Sequence, residues 1–72
     1  MNGDQPLVLG PSWSWFVHPT NSEPYGIRRR RKPDTLTRWE WKVATDLGGP
    51  TYTTDDERAA RRLRRQLNKA AS

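Results

Sequence analysis

Two stretches of the chain repeat one alternation of large apolar and other residues. Trp13-Ser14-Trp15-Phe16-Val17 and Trp39-Glu40-Trp41-Lys42-Val43 both read W-x-W-x-V. A period of two belongs to a half-buried β-strand, whose successive side chains point to opposite faces. The pattern predicts strands over 12–18 and 37–45. In the first, Trp13, Trp15 and Val17 are expected on one face and Ser14, Phe16 and His18 on the other. In the second, Trp39, Trp41 and Val43 lie opposite Arg38, Glu40, Lys42 and Ala44. On this reading all four tryptophans form a single aromatic face. Asp46-Leu47-Gly48-Gly49-Pro50 reads as a hairpin connection, its glycines available for positive φ. Thr51-Tyr52-Thr53 is then a short return strand, rich in residues that favour strands.

After Thr54 the period changes. Ala59, Ala60, Leu63, Leu67 and Ala70 form one apolar stripe at helical spacing, with Arg58, Arg61, Arg62, Arg65 and Lys69 on the far side. Thr54-Asp55-Asp56-Glu57 fits a capping box in which threonine and glutamate satisfy each other's backbone amides. Asp55 and Asp56 also complement the positive end of the helix dipole.

The region between the two tryptophan strands is less regular. Pro19-Thr20-Asn21-Ser22-Glu23-Pro24 is a turn by composition. Tyr25-Gly26-Ile27 leads into Arg28-Arg29-Arg30-Arg31-Lys32, and Pro33-Asp34 ends the run. A middle strand with Ile27 facing inward is one arrangement. Adjacent arginines in a strand would point to both faces, however, so residues 25–37 read better as an edge strand or a basic loop. Leu7-Val8-Leu9, between Pro6 and Gly10-Pro11, reads as a tail rather than an edge strand, since chain ends fray unless tied down. The expected architecture is α+β: a small three- to four-stranded antiparallel sheet packed against one C-terminal helix. A flexible segment 1–11 precedes a single domain over 12–70. The sheet's exposed edge is a place where two copies could pair.

Composition narrows the function classes. The chain has 72 residues, of which 32% are hydrophobic, and a mean hydropathy of −1.08. A chain of this size buries only about 60% of its unfolded surface, so the core is thin. Large indoles compensate, each burying roughly 150–250 Å². There is no cysteine, hence no disulfide framework and no thiolate metal site. No apolar stretch approaches the ~20 residues of a membrane span. Met1 to Pro6 lacks the basic start and apolar run of a secretion signal. The expectation is a soluble cytoplasmic protein with no membrane association.

Net charge is +5 and the pI is about 10.5, which favours anionic partners. Arg28, Arg29, Arg30, Arg31 and Lys32 are candidates for a phosphate clamp. Arg38 and Lys42, on the outer sheet face with Ser14 and His18 across it, are candidates for phosphates or base edges in a groove. Arg58, Arg62 and Arg65 make a concentrated stripe on the helix. Ten of the thirteen cations are arginine. Its planar fork holds phosphate or carboxylate bidentately, which lysine cannot do. The tryptophans are read first as core, and second as a platform for stacked bases.

Catalytic chemistry finds little footing. Pro33-Asp34 followed by Glu40-Trp41-Lys42 spells P-D…E-x-K, which is similar to the metal-binding motif of a large nuclease superfamily. The spacing is short, and that fold needs a larger core than this chain supplies. His18 is the only histidine and has no partner for a zinc site. No serine has a base and an orienting group near it in sequence. Neither an enzyme nor a cofactor or metal is expected.

The order strand, strand, short strand, helix, with Trp39 and Trp41 on a strand, Tyr52 and Thr54 before the helix and Glu57 in its first turn, resembles the AP2-like and integrase arm-type DNA-binding domains. The resemblance spans residues 13–70. It implies a three-stranded sheet lying on one helix, with the sheet's free face reading the major groove. Arg58 stands where many such domains place alanine, and the stretch 19–37 is longer than theirs. Size and composition also resemble accessory proteins of phages and other mobile elements. The expected function is nucleic-acid binding, DNA before RNA. The alternative is a phage-type modulator or inhibitor of a host nucleic-acid enzyme or defence complex, docked through its basic surface on an acidic protein.

Overall fold

Alternation and helical spacing resolve into five elements in the computed structural model, which describes residues 11–71. They are β1 (Ser14–Val17), β2 (Tyr25–Arg31), β3 (Trp39–Thr45), β4 (Tyr52–Thr54) and α1 (Glu57–Ala71). The tail expected over 1–11 falls almost wholly outside the described residues. The strands form one antiparallel meander in the order β1-β2-β3-β4, and α1 packs on β2, β3 and β4. The α+β architecture expected from the sequence is the one observed. None of the helices is long and apolar enough to cross a membrane among the described residues.

The core forms where three small or aliphatic residues meet. Ile27 and Val43 are register partners on β2 and β3, both fully buried, and Ala60 of α1 is buried with them. An alanine there lets the helix approach the sheet closely. Phe16, Val17, Tyr25, Trp41, Leu63 and Leu67 surround this centre. Burying such side chains stabilises at roughly 25 cal/mol per Å² of apolar surface.

Two expectations need correction. The run Arg28–Arg31 is neither loop nor edge: β2 pairs with β1 on one side and β3 on the other. Its arginines do alternate between faces, and each face supplies aromatic rings to receive them. The four tryptophans do not share a face. Residues paired across strands lie on the same side, and Trp15, Arg28, Lys42 and Thr53 make one row. Ser14, Arg29, Trp41 and Thr54 make the next row, on the opposite side. Trp41 packs on the core beneath the helix, so Trp15 is on the open face, and Ser14 is not. Because β2 stands between the two tryptophan strands, its register decides their relative phase. A shift between Trp15 and Val17 then brings both Phe16 and Val17 to the helix side.

The connections follow from local chemistry. In the β1–β2 turn the Thr20 N–H donates to the Glu23 carbonyl at 2.8 Å, and the Glu23 N–H donates to Thr20 Oγ1 at 3.0 Å. The β3–β4 turn uses Gly48 and Gly49 at φ of 80° and 118°, as the paired glycines predict. At the β2–β3 tip the Lys32 N–H donates to the Arg38 carbonyl at 2.9 Å. The helix starts later than the capping box places it. Asp56 Oδ1 accepts the Arg58 N–H at 3.1 Å and the Asp56 carbonyl accepts the first helical bond from Ala60, so Asp56 is the cap. Thr54 ends β4 and accepts the Asp56 N–H instead, at 3.1 Å.

Candidate nucleic-acid interface

The cations fall into settings that differ in how much of their charge is left to offer. On the open sheet face Arg28 lies 4.9 Å from the Trp15 ring, and Trp13 receives Arg30 at 4.7 Å and Lys42 at 4.3 Å. Arg30 Nε also donates to Glu40 Oε2 at 2.7 Å. All of these cations are half-buried. Among the described residues, Arg28 Nε is buried and has no hydrogen-bond partner. The indoles thus lie on the cations of this face, and cation–π attraction anchors the start of β1 across the sheet. Arg28, Arg30 and Lys42, all three candidates from the sequence, are largely occupied. Of the P-D…E-x-K residues, Glu40 is held by Arg30, Lys42 Nζ lies against Trp13, and Asp34 stands exposed in the tip.

The helix-side rim is different. Arg29 lies 4.6 Å from the Phe16 ring and 4.5 Å from Trp39, and Arg31 lies 6.0 Å from the Trp39 ring. Phe16 also receives Arg61 of the helix, at 5.0 Å. One ring therefore bridges sheet and helix, and the sequence Arg31, Trp39, Arg29, Phe16, Arg61 forms a continuous contact chain. From Arg61 the surface continues along α1, where Arg58, Arg61, Arg62 and Arg65 line a shared shallow hollow. These positions lie three and four apart and so stack on one helix face. Glu57 Oε2 accepts from Arg61 Nε at 2.9 Å. That pair is exposed, and such i,i+4 pairs contribute only about 0.3–0.5 kcal/mol.

Trp39 sits on a ridge. On one side it lines a hollow with Ser14, Arg29, Arg30 and Arg31, and on the other a hollow with Lys32, Arg38, Trp41 and Asp55. In the second hollow Lys32 Nζ contacts Asp55 Oδ2 at 2.9 Å, which ties the tip to the approach of α1 and neutralises both groups. Arg38 is left as the cation there. Among the described residues Arg31, Arg38, Arg58, Arg62 and Arg65 form no ion pair. Arg64 is committed to structure: Nε donates to the Tyr25 carbonyl and Nη2 to Glu23 Oε1, each at 2.9 Å.

The structure groups the candidate cations differently from the sequence reading. Arg28 and Arg30 separate from Arg29 and Arg31 by face, and the latter pair joins the helix arginines. Arg61, which was not singled out, is the link. The signal was present: Arg61 follows Arg58 by three residues and Glu57 by four. Phe16 as the bridge had no signal, because the strand shift that turns it inward leaves no mark in the pattern. Comparison with protein-family models, with curated proteins and with solved structures finds no match.

Proposed function

We propose that this chain is a small nucleic-acid-binding accessory protein, DNA before RNA, that holds phosphates along the surface running from Arg31 and Arg29 to Arg58, Arg62 and Arg65. The observation that carries the reading is the Phe16 ring between Arg29 and Arg61. Through it, the sheet rim and the helix stripe become one cationic strip rather than two scattered patches. Arginines without carboxylate partners, held at fixed spacing along a helix, suit a polyanion whose charges repeat at regular intervals. The net charge of +5 draws such a partner in from a distance.

Fluorescence anisotropy with labelled 20-mer duplex and single-stranded DNA at low salt tests the reading. Binding is expected, with log K falling linearly in log salt because condensed counterions are released. Failure of both DNA forms and of RNA at low salt would remove the proposal. Recovery of a protein partner after nuclease digestion, with no nucleic acid bound, would replace it with docking on an acidic protein surface.

A further inference from the structure

Two features stand outside the phosphate strip, the indole-covered open sheet face and the exposed leucines at the turns, and a third, the ridge at Trp39, lies within it between Arg31 and Arg29. The open face has its cations covered by Trp13 and Trp15, and nothing indicates what would lie on Leu36 or Leu47. Trp39 combines exposure, rigidity and flanking charge.

We infer that Trp39 is a stacking site for an unpaired base, so that the preferred ligand is a single strand of nucleic acid rather than a duplex. This rests on the reading of the cationic strip and adds strandedness to it. Trp39 is the first residue of β3 and is 39% exposed, the highest exposure of a large aromatic here, equal to Tyr52. It is not a loose surface ring. Arg31 is its direct register partner on β2, and Arg29 lies 4.5 Å from its ring, so the indole is held by cations from within the sheet. A guanidinium against an indole fixes ring orientation and draws on its π-face. The remaining exposed indole surface is a preformed place for another flat group.

The two hollows beside it settle what kind of flat group fits. A base stacked on Trp39 carries a phosphate on each side of its sugar. One side of the ridge presents Arg29 and Arg31, and the other presents Arg38, whose neighbours Lys32 and Asp55 cancel each other. Cations on both flanks of an aromatic ring match a nucleotide within a strand. An isolated aromatic ligand would use one flank or the ring alone. Base pairs within a duplex are stacked on each other and offer no free face to Trp39. Unpaired bases do, and aromatic stacking tolerates any sequence because every base has a π-face.

The test uses the full chain and three ligands: a 12-mer of deoxythymidine, the same length of abasic strand, and a 12-base-pair duplex. Trp39→Ala is expected to weaken binding of the deoxythymidine strand about 5- to 160-fold, the range that stacking one base supplies. The duplex and the abasic strand, which offer Trp39 no free base, should lose at least about 5-fold less than the deoxythymidine strand does. Trp39→Phe should recover part of the loss, and far-ultraviolet circular dichroism checks that each variant folds. Equal losses on all three ligands, or no loss on deoxythymidine, would overturn the stacking site while leaving the cationic strip intact. Absence of binding to any ligand by the unaltered protein would overturn the strip and the stacking site together.

Discussion

At Tyr25 the β2 backbone runs past its last pairing with β1, whose register ends at Val17 opposite Ile27. Its peptide groups there are taken by the Asn68 side chain. Asn68 Oδ1 accepts the Tyr25 N–H at 2.8 Å, and Nδ2 donates to the Tyr25 carbonyl at 3.1 Å. A carboxamide carries both a donor and an acceptor, so one side chain replaces the missing strand neighbour. Asn68 is 6% exposed. Asn68→Ala is expected to cost about 2–3 kcal/mol in urea denaturation, two hydrogen bonds plus the stranded Tyr25 N–H. A loss below about 0.5 kcal/mol would contradict this role. Gly26 supplies a second case. A Cβ there would collide with the Val17 carbonyl and the Pro19 ring, where the chain returns from β1. Neither obstacle can swing aside, so Gly26→Ala should lower stability by about 1–3 kcal/mol. Neither residue was legible in the sequence. An asparagine among helix arginines reads as surface, and its partner is 43 residues away.

At the scale of elements, strands and helix were readable because their periods differ, and because few other apolar residues compete for the core. β2 was the exception. A strand with consecutive arginines breaks the rule of one dry and one wet face, and only the placement of rings on both sides makes it tolerable. Trp13 and Trp15 cover Arg30 and Arg28 on one face, and Phe16 and Trp39 receive Arg29 on the other. The repeated W-x-W-x-V phrase pointed to two strands correctly and to a shared face wrongly, since phase between non-adjacent strands is set by the strand between them. The helix start was also displaced. Cap residues cluster at Thr54, Asp55 and Asp56, and pattern alone cannot rank them, whereas the hydrogen bond from Arg58 to Asp56 does. Asp56→Ala should cost about 1 kcal/mol, and Thr54→Ala less, by thermal denaturation. The reverse order would restore the capping box.

At the scale of the whole molecule the division of labour among the cations is the central point. Those of the open face hold indoles, Arg64 and Lys32 hold the helix and the tip in place, and Arg31, Arg38, Arg58, Arg62 and Arg65 stand exposed. Net charge alone favours an anionic partner but does not reveal this separation, which depends on register and on the turn of Phe16. The arginine face of α1 runs from Arg58 to Arg65, about 10 Å of helix at 1.5 Å per residue, enough to reach neighbouring phosphates of one strand. The decisive measurement is the salt dependence of DNA affinity for the unaltered chain and for a variant with Arg58, Arg62 and Arg65 all changed to glutamine. Three lost phosphate contacts should reduce the log–log slope by about 2–3, while the folded stability stays near its original value because these side chains are exposed and form no ion pair among the described residues. An unchanged slope, with the same fold, would show that the helix face does not hold the phosphates.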